Sequence, residues 1–251
     1  MKLYGGIDLH SNNSVIVIID EQGEVKARKR LANDLDLVLR FLAPFANELT
    51  GLVIESTFNW YWIADGLMDA GFNIHLANTA AIQQYSGLKH TDDNSDAEWL
   101  AELLRLDILP TGYIYPKELR SARDLMRKRM QLVQQSTANL LAIQGLYARH
   151  LSYKLSGNSV KKLTTDQVER DFAMPNVAHA VKSNLAVMLF LKQQIKSIEH
   201  ELLKQVKLAP EFQQLTSIDG IGTTLGLMIM LETGDINRFD KAGNYALTCR
   251  Y

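Results

Sequence analysis

Leu3-Tyr-Gly-Gly-Ile-Asp-Leu9, Ser14-Val-Ile-Val-Ile-Ile-Asp20 and Val25-Lys-Ala-Arg-Lys-Arg-Leu31 open the chain as three strand-like runs. The second is β-branched at nearly every position and reads as a buried strand. Asp20-Glu-Gln-Gly23 is a turn, so the third run returns beside the second. Working outward, Asp34 is placed to cap a helix through Ala46 whose Leu35, Val38, Leu39, Leu42 and Phe45 share one face. Gly51 to Ser56 reads as a short buried strand, Trp60 to Ala70 as a helix stopped by Gly71, and Asn73 to Ala77 as another strand. A short helix, a polar stretch from Gly87 to Ser95 and a helix from Asp96 to Leu106 follow.

The order β-β-β-α-β-α-β-α is a hairpin meander followed by parallel crossover units, the order of the RNase H-like α/β fold. After Pro116 the texture changes. Leu119 to Leu151 and Asn176 to Val206 carry helix-spaced apolar positions, with a loop holding Gly157 and the capping run Thr164-Thr-Asp166 between them. Two helices of about 30 residues joined this way predict an antiparallel coiled-coil hairpin that protrudes or pairs with another subunit. Near the end, Leu215-Thr-Ser-Ile-Asp-Gly-Ile-Gly-Thr-Thr-Leu-Gly226 resembles a small helix-hairpin-helix, with Gly220 and Gly222 letting a phosphate approach backbone N–H groups. The expected units are an RNase H-like α/β domain over 1–116, a coiled-coil helical hairpin over 117–207 and a small helical region over 208–251.

An apolar fraction of 47% and a charged fraction of 22% are those of an ordinary soluble globular protein. No run is long and apolar enough to span a membrane, and the N-terminus lacks a signal pattern. Cys249 alone can neither form an internal disulfide nor offer metal-ligand spacing, so a reducing cytoplasm is the expected location. The net charge of -1 conceals a segregation: residues 1–110 hold 8 Lys/Arg against 16 Asp/Glu, and residues 111–165 hold 10 against 2. An acidic module followed by a basic one suits a metal site next to a phosphate-binding surface. Arg120, Arg123 and Arg127, three and four apart, share a helix face with Lys117 one turn earlier, so this face is expected to contact phosphates.

Four carboxylates carry the chemistry. Asp8 lies between Ile7 and Leu9, and Glu55 ends Leu52-Val-Ile-Glu55, both in apolar strands where a charge is costly unless paired or bound to a metal. Parallel neighbouring strands would bring the two to one edge of a sheet. Asp93 and Asp96 are three apart at the start of a helix and share its face; Asp92 is also acidic but lacks that spacing. Together Asp8, Glu55, Asp93 and Asp96 make a hard oxygen-ligand set for Mg²⁺ or Mn²⁺ that suits two-ion phosphate chemistry. An actin-like ATPase also begins with an apolar strand ending Gly-Ile-Asp, but Leu9-His-Ser-Asn-Asn13 supplies none of the glycines its phosphate loop needs.

The chain resembles the DEDD transposases of insertion sequences, a family that includes the Piv pilin-gene invertase and the bridge-RNA-guided recombinases. The resemblance rests on Gly6-Ile-Asp-Leu-His10, Val53-Ile-Glu-Ser-Thr57, Lys89-His-Thr-Asp-Asp-Asn-Ser-Asp-Ala97 and Leu100-Ala-Glu-Leu-Leu104. It continues through Ile114-Tyr-Pro116, Ile218-Asp-Gly-Ile-Gly222, Gly234-Asp-Ile-Asn-Arg-Phe239 and Gly243-Asn-Tyr245, and so covers essentially the whole chain. It implies a RuvC-like domain whose carboxylates bind Mg²⁺, a coiled-coil linker for oligomerisation, and a C-terminal transposase domain that begins at 208–251 here. It further implies DNA as substrate, a structured guide RNA as partner, a homo-oligomer (dimer or tetramer), and a C-terminal serine as nucleophile. In the family that serine lies in a Ser-Gly segment beyond the Asn-Tyr motif, whereas this sequence stops at Tyr251. The expectation is a truncated chain that holds metal and nucleic acid without completing strand exchange, and no nucleophile is assigned to Ser217 or Thr248. The alternatives are a RuvC-like junction-resolving nuclease, against which the basic hairpin and the Gly-Ile-Gly module count, and an inactive nucleic-acid-binding fragment.

Overall fold

The computed structural model describes residues 1–82, 95–206 and 209–248, and the chain divides into two compact units, Met1–Ile114 and Tyr115–Tyr251. The first is a mixed six-stranded sheet with helices, consistent with an α/β RuvC-like domain. Its elements are β1 (Leu3–Leu9), β2 (Asn13–Ile19), β3 (Val25–Ala32), α1 (Leu35–Leu42), β4 (Leu49–Glu55), α2 (Tyr61–Asp69), β5 (Ile74–Ala77), α3 (Thr79–Ile82), α4 (Ser95–Arg105) and β6 (Thr111–Gly112). The strand order is β3-β2-β1-β4-β5-β6. The first three strands form the antiparallel meander, β1–β4 and β4–β5 pair in parallel, and β6 adds an antiparallel edge. At two residues, β6 is too short to leave a pattern in the sequence.

Alternation along the strands separates two faces. Leu3, Ile7, Leu9, Ile16, Ile18, Leu52, Ile54 and Leu76 pack with Val38 and Leu42 of α1 and Ile63, Ala64 and Leu67 of α2. Tyr4, Val15, Val17 and Ile19 point the other way, against Ala97 and Ala101 of α4, and Val53 and Ala77 meet Leu100 there. Asp34 caps α1 as expected, accepting from the backbone N–H of Leu37 at 3.1 Å. The helix stops at Leu42 rather than Ala46, because Pro44 cannot continue the hydrogen-bond ladder and the chain finishes in a 3₁₀ turn, Ala43–Phe45. Asp20 lies just past the end of β2, where its carboxylate accepts from the N–H groups of Gln22 and Glu24 and pairs with Lys26 at 2.6 Å.

The second unit is helical. Its long helices are α5 (Lys117–Leu151) and α8 (Pro175–Val206). The segment between them folds into two short helices, α6 (Gly157–Val160) and α7 (Thr165–Asp171), capped by Ser156 and Thr164. After α8 come α9 (Pro210–Thr216), α10 (Thr223–Thr233), a 3₁₀ turn at Ile236–Arg238 and α11 (Ala242–Thr248). Ile143 and Tyr147 of α5 pack with Val160, Val168, Phe172 and the start of α8. Ala122 and Met126 pack with Leu202 and Val206 at the other end of α8, and with Phe212, Leu227 and Leu231. Arg129 donates to Glu199 at 2.8 Å between the two helices. Tyr147 donates to Asp171 at 2.8 Å, and burial pushes its phenol well above the ordinary value. Among the described residues, no helix is long and apolar enough to cross a membrane.

Candidate carboxylate site

Asp8 is the second-last residue of β1, on the face that meets α4, and it is only 5% exposed. Glu55 ends β4. Ile7 and Ile54 are registered partners in the parallel pair β1–β4, so Asp8 and Glu55 stand side by side one residue further along. Ile7 and Ile54 both belong to the opposite core, which turns the two acids to the same face. Neighbouring strands lie about 4.8 Å apart, close enough for two such carboxylates to share a ligand.

Gly6 lets helix α4 pack closely on β1. It lies on the same face two residues before Asp8, and a Cβ there would sit 1.8 Å from the carbonyl oxygen of Ala97. The first turn of α4 therefore rests directly on the β1 backbone, an approach that any side chain would block. Asp96 immediately precedes Ala97 in that turn and is half-buried. Asp93, with its neighbour Asp92, lies outside the described residues. Among the described residues, no group of three carboxylate, histidine or cysteine side chains is gathered closely enough to hold an ion.

The surrounding loops are tied to the end of β1. His10 Nε2 stands 3.3 Å from Asp8 Oδ2. The His10 carbonyl accepts from Asn33 Nδ2 at 2.9 Å and from Asn59 Nδ2 at 3.0 Å, joining the chain after β3 and after β4 to one point. Thr57 Oγ1 donates to Asn59 at 2.9 Å. Phe58 is held beside them at 85% exposure while Trp60 turns inward. Apart from Asp8, none of these residues was singled out for a site from the sequence. Asparagines in turns are common, and only folding shows that Asn33 and Asn59 meet on one carbonyl. A cavity of about 310 Å³ opens at the other end of the parallel strands, lined in part by Tyr4, Asn73, His75 and Arg105. Burial pushes the His75 imidazole below its ordinary value.

The cations expected on one face of α5 have protein partners. Arg120 is 5% exposed and donates Nε to the Tyr115 carbonyl at 2.7 Å. Arg123 lies 4.4 Å over the Tyr115 ring and donates twice to Glu232, at 3.1 and 2.9 Å. Arg127 donates to the same carboxylate at 2.7 and 2.9 Å. The Tyr115 hydroxyl in turn donates to the Leu231 carbonyl. The helical spacing read from the sequence is real, and it aligns Arg123 and Arg127 on Glu232 and Arg120 on the Tyr115 carbonyl, with the Arg127 side chain still 51% exposed. Lys117 is exposed at the first residue of α5. Gly220 and Gly222 are exposed in the turn before α10, with Gly220 at φ +89° and Gly222 as the N-cap.

Burial alone would raise the Glu232 carboxyl, but Arg127 and Arg123 outweigh it and hold it below its ordinary 4.5. A depressed carboxyl contributes stability that is present above the unfolded value and lost as pH falls through the folded one. Glu232→Gln should therefore lower the stability of the Tyr115–Tyr251 unit by about 1–2 kcal/mol at neutral pH, a figure reduced for its partial exposure. In urea melts, the gap between wild type and variant should close as pH falls below 4.5. A gap that persists undiminished in acid would show that the carboxylate charge is not what binds the two arginines.

A family model described as a transposase, of the IS110 DEDD type, matches residues 5–149. A search of curated proteins finds no match. The matched span includes Asp8, Glu55, Asp93 and Asp96 and most of α5. The chain belongs to the IS110-type DEDD transposase family.

Proposed function

We propose that the chain acts on DNA as a transposase or site-specific recombinase of an insertion sequence, through a divalent-metal site made by Asp8, Glu55, Asp93 and Asp96. The observation that carries this is the side-by-side placement of Asp8 and Glu55, one of them buried, at the carboxyl ends of parallel strands. A buried carboxylate beside a second one is electrostatically costly and is favoured where a cation is held. The donors are hard oxygens, which fits Mg²⁺ or Mn²⁺. Such ions, when bound, polarise a phosphate and stabilise the charge that develops on its oxygens. The protein's own part is to hold Asp8 and Glu55 on rigid strands, to seat Asp96 through the α4–Gly6 contact, and to fix the adjoining loops through the His10 carbonyl.

A structured guide RNA and a homo-oligomer are the proposed partners. Self-association is supported by Leu141 of α5 and Val187, Leu189 and Phe190 of α8, all exposed at 44% or more. Lys117 and the Gly220–Gly222 turn are proposed phosphate contacts.

Metal removal tests the function. The purified chain should bind Mn²⁺, detected by the loss of the free-ion electron paramagnetic resonance signal. Any nicking of supercoiled plasmid should require Mg²⁺ or Mn²⁺ and stop with a chelator. A chain that takes up no Mn²⁺ with or without DNA would overturn the metal-site assignment.

A further inference from the structure

The Met1–Ile114 unit is acidic, yet four of the 8 Lys/Arg in residues 1–110 stand within five consecutive positions, Lys26, Arg28, Lys29 and Arg30. All four lie on β3, an edge strand of the sheet, and all are exposed. Cations on an edge strand commonly prevent edge-to-edge association. Here their register adds something that role does not require. Asp8 is the cross-strand partner of Val15, and Val15 is the partner of Arg30. Glu55, Asp8, Val15 and Arg30 thus form one row across the face that meets α4, with Arg30 two strands, or about 10 Å, from Asp8.

The four cations are not equivalent. Lys26 is paired with Asp20, and Arg28 is paired with Glu98 in the first turn of α4. Arg30 donates to the neutral side chain of Asn13 at 3.2 Å. Lys29, on the other face of the strand, lies 6.0 Å over the Phe41 ring. The two cations whose described partners are uncharged are adjacent, on opposite faces of an exposed edge, and one is aligned with the carboxylates. An acidic unit that takes a polyanion at its carboxylate row needs positive charge beside that row. On α5, by contrast, Arg123 and Arg127 share the single carboxylate of Glu232.

We propose that β3 is a phosphate-binding edge: Arg30 and Lys29 hold the backbone of the DNA strand that enters the carboxylate site, while Arg28 braces α4 through Glu98. It rests on the proposal that the unit processes DNA.

The test is binding of a short labelled duplex to the full chain by fluorescence anisotropy, in chelator and across a salt series, so that cleavage plays no part. Removing two phosphate contacts should flatten the log–log salt slope by about two, at roughly 0.9 per phosphate on duplex. Arg30→Ala/Lys29→Ala should show that change, Arg30→Lys/Lys29→Arg should keep the wild-type slope, and Lys26→Ala should also keep it. An unchanged slope in the double alanine variant, with the duplex still bound, overturns the phosphate edge and leaves the DNA-processing function standing. Failure of the wild-type chain to bind duplex overturns that function instead. A slope change confined to an RNA hairpin assigns the edge to RNA and overturns the proposal.

Discussion

Gly6→Ala is expected to destabilise the Met1–Ile114 unit by about 3 kcal/mol, lowering its melting temperature by on the order of 10 °C. The added Cβ would lie 1.8 Å from the Ala97 carbonyl oxygen and 2.8 Å from the Ala101 nitrogen, and both are backbone atoms that no rotamer change can move. Helix α4 would have to lift as a body, loosening Ala97 and Ala101 from Val15, Val17 and Ile19, and Leu100 from Val53 and Ala77. Gaps of even a fraction of an ångström forfeit much of the dispersion energy at such contacts. Gly5→Ala is the comparison. Its Cβ would meet Leu52 Cδ2 at 2.2 Å, the end of a side chain that can turn aside, so its loss should be distinctly smaller. Differential scanning calorimetry of the two variants checks the order. Equal losses would mean that the backbone approach of α4 is not what seats it. Because Asp96 rides on the same turn, Gly6→Ala should also weaken Mn²⁺ binding although it removes no ligand.

Why so much of the sheet was legible lies in its periods. β1, β2 and the end of β4 are apolar runs bounded by turn residues, and Asp34 and Gly71 mark helix ends by mechanisms that act locally. Asp8 and Glu55 stood out because a charge in an apolar strand is costly wherever the strand is placed. Their adjacency needed only the β1–β4 pairing, which the meander-then-crossover order supplies. What the sequence could not carry was set by partners distant in the chain. Arg120, Arg123 and Arg127 look like an open cationic face until Glu232, more than a hundred residues later, is brought against two of them. The convergence of Asn33 and Asn59 on His10 is likewise a product of three separate loops. β3 was legible as a strand, but its charge was masked by averaging over an acidic domain. On α5, summing residues 111–165 left out Glu232, the acid that pairs with Arg123 and Arg127.

Asp8→Asn should separate stability from function in opposite directions. The substitution keeps shape and removes one of two like charges standing side by side on adjacent strands, at a position only 5% exposed. Like charges across neighbouring strands are destabilising by up to about 1 kcal/mol, and burial adds a desolvation penalty. The metal-free variant should therefore be at least as stable as wild type. Its Mn²⁺ affinity should fall by more than about 100-fold, beyond the 10–100-fold typical of losing an outer partner of a ligand. The competing role for Asp8 is structural, through the 3.3 Å pair with His10 Nε2. If that pair were what the carboxylate is for, Asp8→Asn would lower the melting temperature and His10→Gln would lower it equally. Paired melts of the two variants with chelator, followed by Mn²⁺ titration of each, distinguish the roles. A destabilised Asp8→Asn that still binds Mn²⁺ like wild type would remove Asp8 from the metal site and make it a support for the loop after β1.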